Sequence, residues 1–507
     1  MNPAQCAAGP PPAQVCETHT GVVLLCGERA YKTKKPLRTD FLDFSTPALR
    51  EHACARELTL NARLAPDVYL GVAHLSDPEG GPAEPVLVMR RMPAHRRLSA
   101  LLAADELPAA DLTALVDLLA DFHRTARRGH DIDREGTADA LRARWRALLD
   151  PLRSGPAELI EPDLLDRIDR RAMTYLEGRA ELFEDRIAQG RIVDGHGDLL
   201  AEDIFDLDHG FQVLDCLDFD DRLRYVDGLD DIGFLAMDFT YLGRPELADA
   251  FVANYQRAVN DPAPESLRDH YIAYRAAVRA KVDLIRAGQG DATAGVRLGR
   301  HLRIAAERLD QSAVRLVLVG GLPGTGKTTV ATRLAERTRA TLLSSDHLRA
   351  ELASTGQIDG GIGRFGAGRY SPAHRARVYD ELLDRARGLL ARGVSVILDA
   401  SWTGQEDRRR AETLAGDVAA ELIALRCACP RDLAHQRIGD RRGSESDATA
   451  EIADAMAASD VAWPGAGTLD TSAPLIETVA VAEEAWRRGA TSSTPPETAR
   501  ATADHSA

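Results

Sequence analysis

Residues 321–328 read GLPGTGKT, an order of residue types suited to holding a polyphosphate. Glycines let successive backbone N–H groups turn inward around an anion, a lysine reaches its terminal phosphates, and an adjacent hydroxyl can hold Mg2+. Gly321, Leu322, Pro323, Gly324, Thr325, Gly326, Lys327, Thr328 and the following Thr329 are therefore assigned to nucleotide binding, with Thr328 also a metal ligand. Lysine is scarce here: only five of the 63 basic residues are lysine. Each lysine in this chain therefore raises the question whether its site needs a compact ammonium that arginine's planar fork cannot replace.

Downstream, LLSSDHLR at 342–349 puts Asp346 and Arg349 just after a short apolar run, and VILD at 396–399 ends another such run on Asp399. In a parallel α/β sheet the carboxyl ends of the strands face the ligand crevice, which brings Asp346 toward the transferred phosphate and Asp399 toward the metal. A helix N-cap is the structural alternative for Asp346. QRIGDRR at 436–442 carries Arg437, Arg441 and Arg442 at helical spacing, as a phosphate-facing set or a solvated basic face. This half resembles the small P-loop kinases typified by polynucleotide kinase and chloramphenicol phosphotransferase. The resemblance implies that Asp346 accepts the substrate hydroxyl's proton, that Arg349 orients substrate, and that Arg437 and Arg441 belong to an arginine-bearing lid.

A second acidic constellation begins with HGDLLAED at 196–203. A predicted hairpin follows, with strands at 205–207 and 211–217 around a turn at 208–210, and then Asp218-Phe219-Asp220. This order resembles the catalytic segment of the aminoglycoside phosphotransferase family, relatives of protein kinases, which runs His-Gly-Asp, four residues, Asn, a hairpin and a metal-binding Asp. By that resemblance Asp198 is the catalytic carboxylate, Asp203 (in the asparagine's place) and Asp218 are the metal ligands, Lys32 contacts the nucleotide phosphates, and Glu57 is its ion-pair partner. Lys34 shares Lys32's strand face and is the alternative, whereas Lys35 faces away. Asp203 adds a charge where the family has a neutral amide, which opens a second reading: an ATP-sensing or regulatory module with a pseudokinase N-terminal domain. Seven aspartates between residues 215 and 231 form either a surface suited to a cationic acceptor or a solvated loop.

These residues need elements to place them. GVVLLCGERAYK at 21–32 alternates as two strands around a turn, 46–64 has a helical apolar period, and 86–92 reads as a further strand. Helical patterns fill 105–189 and 227–309. From 314 on, β-rich runs at 314–319, 341–343 and 394–398 alternate with helices, the mark of a parallel sheet. The expected fold is an α+β protein-kinase-like domain over 18–308 followed by an α/β P-loop NTPase domain with a parallel sheet over 309–490. Residues 1–17 and 491–507, rich in Pro, Ala, Ser and Thr, are expected to be tails. The chain resembles bacterial bifunctional proteins that fuse these two domain types.

Bulk properties bound the rest. A net charge of -15 argues against a nucleic acid polymer as partner. No apolar run is long enough for a membrane span and no signal-peptide core precedes Arg29, so a cytoplasmic protein with no membrane partner is expected. The seven cysteines form no metal-ligand spacing and read as reduced structural thiols. ATP and Mg2+ are the implied cofactors, and a small molecule bearing a hydroxyl is the implied acceptor. Oligomeric state leaves no trace in the sequence.

Overall fold

The computed structural model describes residues 13–17, 21–38, 43–106, 109–361, 366–440, 449–458 and 460–489. Contacts divide the chain into two units, Met1–Leu176 with Ala180–Ser312, and Glu177–Arg179 with Ala313–Ala507. Arg441, Arg442 and residues 491–507 lie outside the described residues.

The first unit opens with five antiparallel strands: β1 (Gln14–Glu17), β2 (Gly21–Cys26), β3 (Arg29–Lys34), β4 (Tyr69–Leu75) and β5 (Glu84–Arg90). They lie in the order β1-β2-β3-β5-β4. Cys26 pairs with Arg29, so two residues make the β2–β3 turn, and Gly27 takes the positive φ of 54° that such a turn favours. Side chains alternate across a strand, so Ala30, Lys32 and Lys34 share one face. Ala30 packs in an apolar cluster with Cys54, Val68 and Leu87, which fixes that face toward the helix Pro47–Asn61. That helix starts at Thr46, whose Oγ1 accepts from Leu49 N, and its buried residues are Arg50, Cys54, Glu57 and Asn61. A buried helical stripe that is mostly polar belongs to a site more than to a hydrophobic core.

Two expectations about this sheet change. Residues 14–17 are not tail: they pair with β2, whose open edge offers unpaired backbone groups; residues 1–12 lie outside the described residues. The strand expected at 86–92 spans Glu84–Arg90, and β4 beside it had no counterpart in the sequence reading.

The remainder of this unit is helical around two small ribbons. β6 (Ile192–Asp194) pairs with β9 (Tyr225–Asp227), and β7 (Ile204–Leu207) pairs with β8 (Gly210–Val213). β8 stops four residues short of the expected end at 217 because Asp215 adopts a left-handed backbone with φ 62°, which ends the ladder.

The second unit is a five-stranded parallel sheet in the order β11-β12-β10-β13-β14. Its strands are β10 (Arg315–Gly320), β11 (Thr341–Ser344), β12 (Val396–Asp399), β13 (Glu421–Ala428) and β14 (Gly467–Asp470). Val317, Val319, Ile397 and Leu425 form a core with Val330 and Leu334 of the helix Lys327–Thr338. Cys427 belongs to this core, and burial pushes its thiol up to about 12, which keeps it inert. β13 and β14 lay outside the sequence reading. No helix among the described residues is long and apolar enough to cross a membrane.

Candidate active sites

In the second unit the loop after β10 enters the helix Lys327–Thr338 at Gly326, which provides no side-chain cap. The first N–H groups of that helix therefore have no internal acceptor and face outward, where an anion can take them. Two glycines are sterically required. A Cβ on Gly321 (φ 144°) would lie 2.6 Å from Thr325 Oγ1, and one on Gly324 (φ 83°) would lie 2.4 Å from the carbonyl oxygen of Ala434. The loop is braced from inside: Thr325 Oγ1 donates to Leu322 O at 2.8 Å, and Thr471 Oγ1, just past β14, donates to Thr325 O at 2.7 Å. Arg437 donates to Thr471 O at 2.8 Å, which ties its guanidinium to the residue that braces the phosphate loop.

Asp399 ends β12 beside Val319 of β10. It is buried, and its Oδ1 has no hydrogen-bond partner. Burial raises its pKa, opposed by the charge of Lys327 and by hydrogen bonds from Thr328 and Ser344. Thr328 and Asp399 thus meet, with a carboxylate oxygen to spare and an ammonium close by, which is the donor set a Mg2+–phosphate unit requires. Thr329 is exposed on the first helical turn. Asp346 is not the N-cap: Ser344 is, accepting from Asp346 N at 3.3 Å. Asp346 instead pairs with Arg349, whose guanidinium stacks 4.4 Å from the Tyr370 ring centroid. Lys327, Asp346, Arg349 and Tyr370 line one pocket.

In the first unit Lys32 Nζ is 2.8 Å from Glu57 Oε1 and 3.0 Å from Asp215 Oδ1. Lys34 Nζ is 2.7 Å from Glu57 Oε2 and 2.9 Å from Asp218 Oδ2. Both lysines therefore grip one buried carboxylate. Burial works against their charge, but Asp215 and Glu57 outweigh it at Lys32, whose pKa stands well above its ordinary value. Burial likewise disfavours the charged Glu57, yet Lys32 and Lys34 hold its pKa below the usual range.

Asp198 lies close enough to Asp203 for its charge to act on it. Burial raises the Asp203 pKa well above the carboxylate range, and the largest repulsion comes from Asp215, followed by Glu202 and Asp198. Asp218 is bonded to Lys34 and is not among those neighbours. Leu214 N donates to Asp203 O at 2.9 Å, which holds the end of β8 against the Asp203 turn. Asp215 is exposed, with 54% of its side chain meeting solvent, and Lys32, its strongest influence, lowers its pKa. Asp215 is therefore the acid whose charge bears most on Asp203. Among the described residues no three His, Cys, Asp or Glu side chains are arranged to hold a metal, so phosphate oxygens and water would have to complete any Mg2+ shell here.

The catalytic loop is held from behind by residues the sequence reading did not single out. Asp231 accepts from His196 N at 2.6 Å, Gly197 N at 2.8 Å and His123 Nε2 at 3.0 Å. Arg275 pairs with Asp230 at 2.7 Å and donates to Gly197 O at 3.1 Å. Burial lowers the His196 pKa to about 4, so this ring is neutral and its Nε2 donates to Leu214 O. Of the seven aspartates at 215–231, Asp227, Asp230 and Asp231 are buried against Arg186, Arg275 and His123, and Asp221 pairs with Arg56 and Arg224.

Burial raises the Asp198 pKa to about 6, with Arg279 and Arg275 opposing and Asp215 and Glu202 adding to it. The folded state therefore binds this proton more tightly than the unfolded chain, so stability falls as pH rises from about 4 through 6. We expect Asp198→Asn to be more stable than wild type to urea at pH 7, by on the order of 1–3 kcal/mol, and to lose that advantage by pH 4. Urea titrations of the nucleotide-free protein at the two pH values check this.

A lysine–glutamate pair and a His-Gly-Asp loop in the first unit, and a phosphate loop on the parallel sheet of the second, make a chain built to hold nucleotide phosphates. Residues 316–460 match the family model described as an AAA domain. The chain belongs to the same family as uncharacterized protein Rv2004c of Mycobacterium tuberculosis, being 46% identical to it over 490 residues, 96% of this chain and 98% of that protein. Among solved structures it is similar to a choline/ethanolamine kinase family protein from Mesorhizobium loti (16% identity, TM-score 0.36, 60% of this chain and 94% of that one). It is also similar to a sugar kinase from Janibacter sp. (21% identity, TM-score 0.27, 34% of this chain and 93% of that one).

Proposed function

We propose that each unit binds Mg-ATP and that the P-loop unit transfers the γ-phosphoryl group to a hydroxyl of a small molecule. The observation that carries this is the partnerless Asp399 Oδ1 beside Thr328 and Lys327, at the mouth of an uncapped helix. Inward N–H groups and Lys327 would hold the β and γ phosphates in line with the pocket at Asp346. The acceptor hydroxyl oxygen forms a bond to the γ phosphorus while the bond from that phosphorus to the ADP oxygen breaks. The hydroxyl proton passes to Asp346, which Arg349 keeps oriented. Thr328 and Asp399 would hold Mg2+, which would supply charge neutralisation on the phosphate oxygens. In the first unit Lys32 would take the nucleotide phosphates, Asp203 and Asp215 the metal, and Asp198 the acceptor proton. Cytoplasmic action, where ATP is plentiful, accompanies this reading.

One observation favours a second reading, an ATP-sensing or regulatory module. Burial and the acids around Asp203 favour its protonated form, which is a poor metal ligand, so the first unit would bind nucleotide without turnover. ADP release by wild type, Asp198→Ala and Lys327→Ala, with mass-spectrometric detection of phosphorylated products from a mixed hydroxyl-compound library, separates the two. Loss of distinct portions of turnover in each variant supports two enzymes. Loss in Lys327→Ala alone makes the first unit the sensor, and no Mg-dependent ATP binding at all refutes both.

A further inference from the structure

The pocket beside Lys327 extends past Asp346 and Arg349 to Arg375, Tyr379 and Ser401, with Ile452 and Met456 as an apolar wall. Arg375 and Tyr379 are four residues apart on the helix Pro372–Ala391 and so share a face. The other arginines of that helix are engaged: Arg377 with Gln357, Arg385 with Glu351 and Glu381, and Arg387 with Asp417. Arg375 has no hydrogen-bond or ion-pair partner for its side chain among the described residues. Asp407 feels its charge, but no ion pair between them closes. Arg349 is 8% exposed, and its Nε also has no hydrogen-bond partner.

The pocket thus presents three cations, Lys327, Arg349 and Arg375, and one acid, Asp346. Lys327 is committed to the nucleotide and Arg349 to Asp346, which leaves Arg375 with the field of Asp407 but with no hydrogen-bonded or ion-paired partner. A guanidinium in a recess with an apolar wall gains most from a group that offers paired anionic oxygens, because water competes poorly there. A neutral acceptor would leave that charge partly desolvated and unpaired, and a cationic one would be repelled. Tyr379 Oη and Ser401 Oγ, 3.3 Å apart, offer further hydrogen bonds to a hydroxylated compound.

Resting on the reading of the P-loop unit as a kinase, we propose that its acceptor is a small anionic hydroxy compound whose carboxylate or phosphate is received by Arg375 while a hydroxyl faces Asp346. Arg375 sets specificity for charge and takes no part in phosphoryl transfer. The acidic-acceptor preference is opposite to the cationic one that the run of aspartates in the first unit suggested.

The test is calorimetric binding to the full chain saturated with Mg2+ and a non-hydrolysable ATP analogue. Glucuronate, glucose 1-phosphate and glycerate serve as anionic probes, glucose and glycerol as neutral ones, and glucosamine as a cationic one. At least one anionic probe should bind roughly tenfold or more tightly than its neutral counterpart, the range expected of one charge-assisted contact. Comparing glucuronate with glucose 1-phosphate tells carboxylate from phosphate. Arg375→Met should remove the preference, and Arg375→Lys should restore part of it, with affinity for the nucleotide analogue unchanged in both. Lack of an anionic preference in wild type, or its persistence in Arg375→Met, overturns the proposal. Failure of the analogue to bind in a Lys327-dependent way would instead sink the reading of the unit as a kinase and leave the charge preference as a separate result.

Discussion

Lys327→Ala is expected to lower the ATP turnover of the P-loop unit by about 10²–10³-fold, the cost of removing one preorganised charge donor from a phosphoryl-transfer site. Lys327 lines the pocket beside the loop, and its charge bears on the buried Asp399. Without it Asp399 loses its strongest electrostatic support, so Mg2+ affinity should fall with turnover. Folding should change little, since the loop is braced by Thr325 and Thr471 rather than by the lysine. Steady-state ADP release and Mg-dependent nucleotide binding, compared with thermal unfolding of the same variant, check all three points. A fall of less than fivefold in the turnover assigned to this unit would remove Lys327 from the site.

Asp231→Ala is expected to destabilise the first unit by roughly 3–5 kcal/mol, the range for breaking a buried charged network from one side. The carboxylate accepts three hydrogen bonds, two of them from the backbone of His196 and Gly197. Its loss strands two buried N–H groups and releases the loop that carries Asp198. Burial disfavours its charge, but the bond from His123 and the fields of His123, His196 and Arg275 hold its pKa well below the usual range. The stability it provides is therefore present above the unfolded value near 4 and is lost as pH falls below it. Urea unfolding at pH 7 should show the full deficit against wild type, with the gap narrowing toward acid pH. Asp231→Asn, which keeps one acceptor oxygen, should lose less.

What the sequence revealed of these sites tracks how local each determinant is. The phosphate loop was legible because eight contiguous residues carry it, and strand-terminal positions placed Asp346 and Asp399 without knowledge of the partners. Asp215 and Asp218 show the limit. Both are aspartates followed by an apolar or thiol residue, and nothing in that spacing tells that Lys32 pairs with the first and Lys34 with the second. Asp231, Arg275 and His123 were not singled out because a buried ion pair leaves no spacing signature; each reads alone as an ordinary charged position on a helix. β1 was hidden by a Pro- and Ala-rich neighbourhood, and β4 by a weak pattern that only its pairing with β5 stabilises. Arg437 is tied to Thr471, which braces the loop, whereas the lid that Arg441 would complete falls outside the described residues.

Glu57 has two cations where one would neutralise it, and its helix is fastened at two further points: Arg56 donates to Asp218 O at 2.6 Å, and Cys216 N donates to Asn61 Oδ1 at 2.9 Å. A spare ammonium makes the arrangement tolerant, because losing either lysine still leaves the carboxylate a counterion. The lysine–glutamate pair is thus already closed, and its helix already fastened, with no ligand needed to draw them together.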